Sequence, residues 1–138
     1  MVDRDLILRK LAALDLYVSQ LSEYTDITVE QYRRDWKTQR IIERTLQMAI
    51  EVCVDISNHV IADRALRVPT TYADAFEVLT EGGLLDATLR DAMIRMSQFR
   101  NVLVHQYAEI DAAIVVRILR EHLEDFTRFR ATALRWIG

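Results

Sequence analysis

Apolar residues recur at helical spacing along most of the chain, and the interruptions between these stretches are few and short. From Asp3 to Ser22 the stripe of Leu6, Ala13, Leu14, Tyr17, Val18 and Leu21 predicts a first helix. Glu23 to Ile27 reads as a connector. Thr28-Val29-Glu30-Gln31 then has the Ser/Thr-x-x-Glu/Gln form, in which two side chains satisfy free N–H groups at a helix start. No Gly or Pro intervenes from Glu30 to about Ala62, and Ile42, Leu46, Ala49, Ile50, Cys53, Ile56 and Val60 keep the period, so one long central helix is expected there. Asp63 to Thr71 contains Pro69, Thr70 and Thr71; either threonine can cap a short third helix running through Leu79 and closed by Gly82-Gly83. Asp86 can cap a fourth helix carrying Leu89, Ala92, Met93, Met96, Phe99, Leu103 and Val104. After a turn at Ala108 to Ile110, Asp111 can cap a last helix that buries Ile114, Val115, Ile118, Leu119, Leu123, Phe126 and Leu134. The pattern predicts an all-α fold, an antiparallel bundle of four to five helices forming one domain over residues 1–138.

Composition agrees. With 138 residues, 51% of them hydrophobic, the chain can bury a core without crosslinks, and 3 Gly and 1 Pro are too few for a turn-rich β-fold. The single cysteine, Cys53, lies in an apolar helical stretch and reads as a buried structural thiol suited to a reducing cytoplasm. Met1 to Lys10 alternates charge with leucine and lacks the apolar core of a signal peptide, and no apolar run approaches the roughly 20 residues of a membrane span. A cytoplasmic protein without membrane contact is expected. The formal charge of −3 excludes a general nucleic-acid coat, yet an enzyme that touches one or two phosphates needs only local positive charge.

Candidate chemistry concentrates in Arg100-Asn101-Val102-Leu103-Val104-His105-Gln106-Tyr107, where Arg, Asn, His and Tyr are set into a Val/Leu run. Taken alone, this has a structural reading, with His105 finishing the helix and Arg100 paired to a carboxylate. The wider pattern is more specific. Phe99 to Tyr107 followed by Ile110-Asp111, together with Ile42 to Gln47, Ile56 to Ile61, and Pro69 to Tyr72 leading to Phe76, Leu79 and Gly82, resembles the HepT branch of the HEPN superfamily across nearly the whole chain.

That resemblance implies a HEPN-type, dimer-forming bundle. Its implied activity is a metal-independent endoribonuclease, the toxin of a type VII toxin–antitoxin pair, with a minimal nucleotidyltransferase of the MntA kind as partner and antitoxin. It also implies that Tyr107 is the residue to which the partner attaches AMP. The residue chemistry is compatible. Histidine is the side chain suited to proton transfer near neutral pH, so His105 can take a proton from a ribose 2′-hydroxyl or give one to the leaving 5′-oxygen, while Arg100 offers a planar cationic fork to a phosphate. One histidine per chain is short of an acid and a base. A two-fold dimer whose cleft holds two copies of Arg100 and His105 supplies both. On an ideal helix Arg100 and His105 point about 140° apart and Arg100 and Tyr107 nearly align, so either the helix loosens near His105 or a shared cleft receives both directions.

Supporting positions are less determined. Asn101 precedes His105 by one helical turn and either fixes its ring or caps the backbone. The resemblance implies an acidic or polar residue on the central helix facing the Arg/His pair, and Glu51 or Asp55 can fill that place. Arg33, Lys37, Arg40 and Arg44 fall into one basic stripe that is a solvated face, an RNA guide or a surface for an acidic partner. Glu51, Asp55 and His59 are also spaced by turns, but no second Glu-x-x-His stands at a bundle position, so no metal and no cofactor is expected. His122 reads as exposed, and Met48, Met93, Met96, Phe76, Phe99 and Phe126 as core. The competing functional class is a noncatalytic helical scaffold that binds a nucleotidyltransferase or a nucleotide.

Overall fold

The structure, a computed structural model, describes residues 2–138; Met1, which opens the stretch read against a signal peptide and the domain range, lies outside the described residues. Among the described residues seven α-helices follow in order: α1 Arg4–Ser22, α2 Val29–Arg34, α3 Trp36–Asp63, α4 Tyr72–Glu81, α5 Ala87–His105, α6 Ala112–Arg117 and α7 Leu123–Ile137. A 3₁₀ turn, Tyr107–Glu109, follows α5, and a π turn, Ile118–His122, joins α6 to α7 without a break.

The helix starts are those the polar residues dictate. Asp3, Thr71, Asp86 and Asp111 each accept a hydrogen bond from a backbone N–H of the first turn, and Thr28 with Gln31 forms the full reciprocal box. One expected helix is divided. At Asp35 the backbone is extended (φ −119°, ψ 100°), and its carboxylate accepts from Lys37 N–H, Thr38 N–H and the Thr38 hydroxyl, ending α2 and starting α3. These hydrogen bonds hold the carboxyl below its ordinary range. Arg33 therefore sits on α2, so the basic stripe is not one helical face.

The helix ends differ in chemistry. At α4, Leu84 N–H bonds Leu79 carbonyl at 2.9 Å and Gly83 N–H bonds Thr80 carbonyl at 3.0 Å, with Gly83 left-handed at φ 75°. The same pair of bonds closes α3, from Leu66 to Ile61 and from Ala65 to Ala62, but there the left-handed residue is Ala65 at φ 53°. A side chain occupies a position that favours glycine.

Helices α1, α3, α5 and α7 form the four walls, each packed on its neighbours, with α4 laid across α3 and α5. Arg4 bonds the Ile137 carbonyl and Arg130 pairs with Asp15, so α1 and α7 run antiparallel. The centre is filled by Ile7, Leu11, Leu14 and Leu21 of α1, Ile42, Leu46, Ile50 and Ile56 of α3, and Phe76 and Phe126. On α1 the deepest line thus includes Ile7 and Leu11, while Leu6, Tyr17 and Val18 flank it half-buried. Phe129 packs edge-on against Phe76 and Trp136, whose indole N–H reaches the Leu84 carbonyl at 3.0 Å. Met93 and Met96 are buried as expected; Met48 and Phe99 are half-buried. Ile114, expected inside, is 44% exposed, because α6 turns inward the line of Ala112, Val115 and Val116, spaced i, i+3 and i+4 on one face. The buried hydroxyls of Thr45, Ser57 and Ser97 each donate to a carbonyl of their own helix. Cys53 is fully buried, and that burial pushes its thiol well above the ordinary range. No helix among the described residues is long and apolar enough to cross a membrane.

Candidate active site

Where α5 crosses α3, Arg100 meets Glu51. Its Nη2 and Nε donate to the same carboxylate oxygen at 3.2 and 3.4 Å, and its Nη1 donates to Asn101 Oδ1 at 3.3 Å. The Gln47 amide, one turn earlier on α3, donates to both Glu51 oxygens at 3.2 and 3.4 Å and so braces the carboxylate. The guanidinium carbon lies 4.6 Å from the centre of the Tyr72 ring, which covers one face from the first turn of α4. The Arg100 side chain is only 15% exposed, so this cage fixes its orientation. Of the five N–H donors of an arginine, these bonds leave one on each terminal nitrogen, the edge that fits two oxygens of a phosphate.

His105 is the last residue of α5 and is exposed. Among the described residues its ring makes no hydrogen bond or ion pair, and the Asn101 carbonyl oxygen is given to Arg100 rather than to it. The helix does not loosen before His105; it stops after it, at Gln106 with φ −136° and ψ 39°. The backbone thus stays helical from Arg100 to His105, the geometry in which the two residues leave the helix about 140° apart. Tyr107, beyond the helix end in the 3₁₀ turn, is 69% exposed. It no longer aligns with Arg100 but borders two clefts against the first half of α3, of about 230 and 600 Å³, which share Arg40 and Glu43.

The acidic positions separate clearly. Glu51 points to Arg100, whereas Asp55, one turn on, pairs with Lys10 of α1 and stands 3.6 Å from His59. Among the described residues no group of His, Cys, Asp and Glu is arranged to hold a metal ion. His122 is partly exposed and pairs with Asp125 at 3.3 Å. Tyr72 and Gln47 stand out at the site only in the folded structure. The signal available was weak: Tyr72 follows the capping Thr71, and Gln47 precedes Glu51 by one turn.

Known proteins share this arrangement of helices. The mRNA nuclease HepT of Shewanella oneidensis is 32% identical over 126 residues, covering 91% of this chain and 93% of that protein. The tRNA nuclease HepT of Aphanizomenon flos-aquae is 28% identical over 102 residues, covering 74% and 69%. Among solved structures, the tri-AMPylated HEPN toxin of Shewanella oneidensis in complex with MNT antitoxin matches with a TM-score of 0.88 at 29% identity, over 96% of this chain and 99% of that one. A toxin–antitoxin structure with AMP-PNP matches with a TM-score of 0.87 at 29% identity, over 95% and 99%. The helical bundle, the Arg100 to Tyr107 segment at the end of α5 and a sequence match from residue 14 to residue 133 agree, and the chain belongs to the ribonuclease HepT-like family.

Proposed function

We propose that this protein is a metal-independent endoribonuclease, the toxin of a toxin–antitoxin pair, and that a minimal nucleotidyltransferase neutralises it by transferring AMP to Tyr107. The observation that carries the reading is the caged Arg100, oriented by Glu51, Asn101 and Tyr72 with one N–H free on each terminal nitrogen. A scaffold has no need of a guanidinium held in this way. The nuclease names of the relatives, and the AMPylated toxin–antitoxin complex among the structural matches, support the same assignment.

In the proposed reaction, His105 removes the proton of a ribose 2′-hydroxyl. The oxygen attacks the adjacent phosphorus, Arg100 neutralises the charge that grows on the phosphoryl oxygens, and the 5′-oxygen leaves as its bond breaks. The products are a 2′,3′-cyclic phosphate and a 5′-hydroxyl, whose proton comes from the His105 of a second protomer. Because His105 and Arg100 diverge on one α5, two copies facing across a dimer cleft supply the acid, the base and the cation. Glu51, not Asp55, takes the supporting acidic role. In the modification, the Tyr107 phenol oxygen bonds to the α-phosphorus of ATP, pyrophosphate leaves and the phenol proton is released. A cytoplasmic location fits this substrate and partner.

Purified protein incubated with RNA in EDTA should cleave it, and His105→Ala or Arg100→Ala should lower the rate by about 10²-fold or more. Equal cleavage by the variants and the wild type would overturn the enzyme reading. For the switch, intact-mass measurement after reaction with the partner and ATP should show added AMP that Tyr107→Phe loses; AMP retained by that variant rejects Tyr107 as the site.

A further inference from the structure

Beside Tyr107 the surfaces of α2 and α3 carry arginines that the proposed chemistry leaves unused. Arg40 and Arg44 line the smaller cleft with Tyr107, and Arg33 joins Arg40 in the larger one. All three are exposed, and among the described residues neither Arg33 nor Arg44 has an ion pair or a hydrogen bond through its guanidinium. Arg40 makes one bond, from Nη1 to Glu43 at 3.2 Å. The acids of the clefts are already engaged. Glu43 accepts the Tyr32 hydroxyl at 2.5 Å as well as Arg40, and Asp111 caps α6 through Ala113 N–H. Leu103, nearly buried, gives the smaller cleft an apolar wall. Cationic forks beside an apolar wall and an aromatic ring suit a phosphodiester with a base attached.

We infer that Arg40 and Arg44 form a phosphodiester seat next to Tyr107, occupied by the RNA backbone when Tyr107 is free and by the adenylyl phosphate when Tyr107 is modified. The inference rests on the proposed AMP transfer for its second half only. Its physical content is that the tyrosyl phosphodiester is tethered to a residue of the same cleft. It therefore competes with RNA at a very high effective concentration, so the modification acts by taking a substrate subsite and not by bulk alone. The cleft also adjoins Gln47, which braces Glu51, so the seat and the Arg100 cage share a wall.

The double variant Arg40→Ala/Arg44→Ala tests the inference, with Arg9→Ala on α1, which lines neither cleft, as a control for lost charge. In the first arm, uncleavable 2′-O-methyl RNA is bound and followed by fluorescence anisotropy. The double variant should bind about tenfold more weakly, with a shallower salt dependence, while Arg9→Ala binds as the wild type does. In the second arm, AMP is released from modified Tyr107 by a phosphodiesterase, and the double variant should lose it several-fold faster because the phosphate is no longer held. Unchanged RNA affinity overturns the seat. Weaker RNA binding with unchanged AMP release overturns the sharing and leaves a site for RNA alone. If the wild type accepts no AMP at Tyr107, it is the proposed switch that fails, and the first arm still decides whether the arginines hold RNA.

Discussion

At the residue level the site is a problem of aiming a cation. Arginine keeps its charge in any surroundings, so what a protein can control is the direction of the planar fork. Here Glu51 fixes one edge, Asn101 one corner and the Tyr72 ring one face. The sequence made Arg100 and His105 conspicuous, because polar residues interrupt an apolar run. It gave two choices for the acid, since Glu51 and Asp55 lie one turn apart on the same helix, and nothing local distinguishes them. Packing decides: α5 crosses α3 at Glu51, and α1 brings Lys10 to Asp55. Tyr72 was invisible as a site residue because its partner is distant in sequence. Tyr72→Ala should reduce single-turnover RNA cleavage about fivefold through a misdirected Arg100, and Tyr72→Phe, which keeps the ring, should restore it. Equal rates for the alanine variant and the wild type in a quench-flow assay dismiss the positioning role.

At the scale of elements, the helices with aspartate or threonine at their starts were legible because capping is a local contest between a side chain and the backbone N–H groups of the next turn. The division at Asp35 uses the same chemistry but was hidden. With no Gly or Pro near it, the apolar period runs through the break, and only the three bonds accepted by Asp35 reveal it. Its consequence is real, for α2 leaves the axis of α3, packs against α6 and brings the Tyr32 hydroxyl to Glu43. The end of α3 offers a test. Ala65 holds a left-handed conformation at φ 53° that costs an L-residue about 1 kcal/mol relative to glycine, even after the greater freedom of glycine in the unfolded chain is counted. Ala65→Gly should therefore raise the midpoint of thermal unfolding by about 3 °C, as read by calorimetry. A lowered midpoint would show that the position is not strained.

For the whole molecule, the packing of the four walls α1, α3, α5 and α7 sets where the proposed catalytic groups lie. The end of α5 is at the surface, His105 and Tyr107 are exposed there, and Arg100 faces the other way into its cage. The proposed two-fold dimer predicts complementation. Mixed dimers of Arg100→Ala and His105→Ala chains contain one intact Arg100 and one intact His105, so they regain the cation beside one of the two proton-transfer groups, and their cleavage of RNA should exceed that of either variant alone while staying below the wild type. Mixtures no more active than the separate variants, or a wild type that light scattering finds monomeric while fully active, rule the shared cleft out. The amino-acid sequence by itself determined the all-helical class, most helix starts, the buried Cys53 and the polar segment proposed to carry the chemistry, because periodicity, capping and residue type act over one or two turns. Only the tertiary structure decided that Glu51 and Tyr72 hold Arg100, that Asp55 belongs to Lys10, and that Tyr107 stands against Arg40 and Arg44. Those pairings join residues far apart along the chain, and their geometry is set by how whole helices cross, which no local pattern contains.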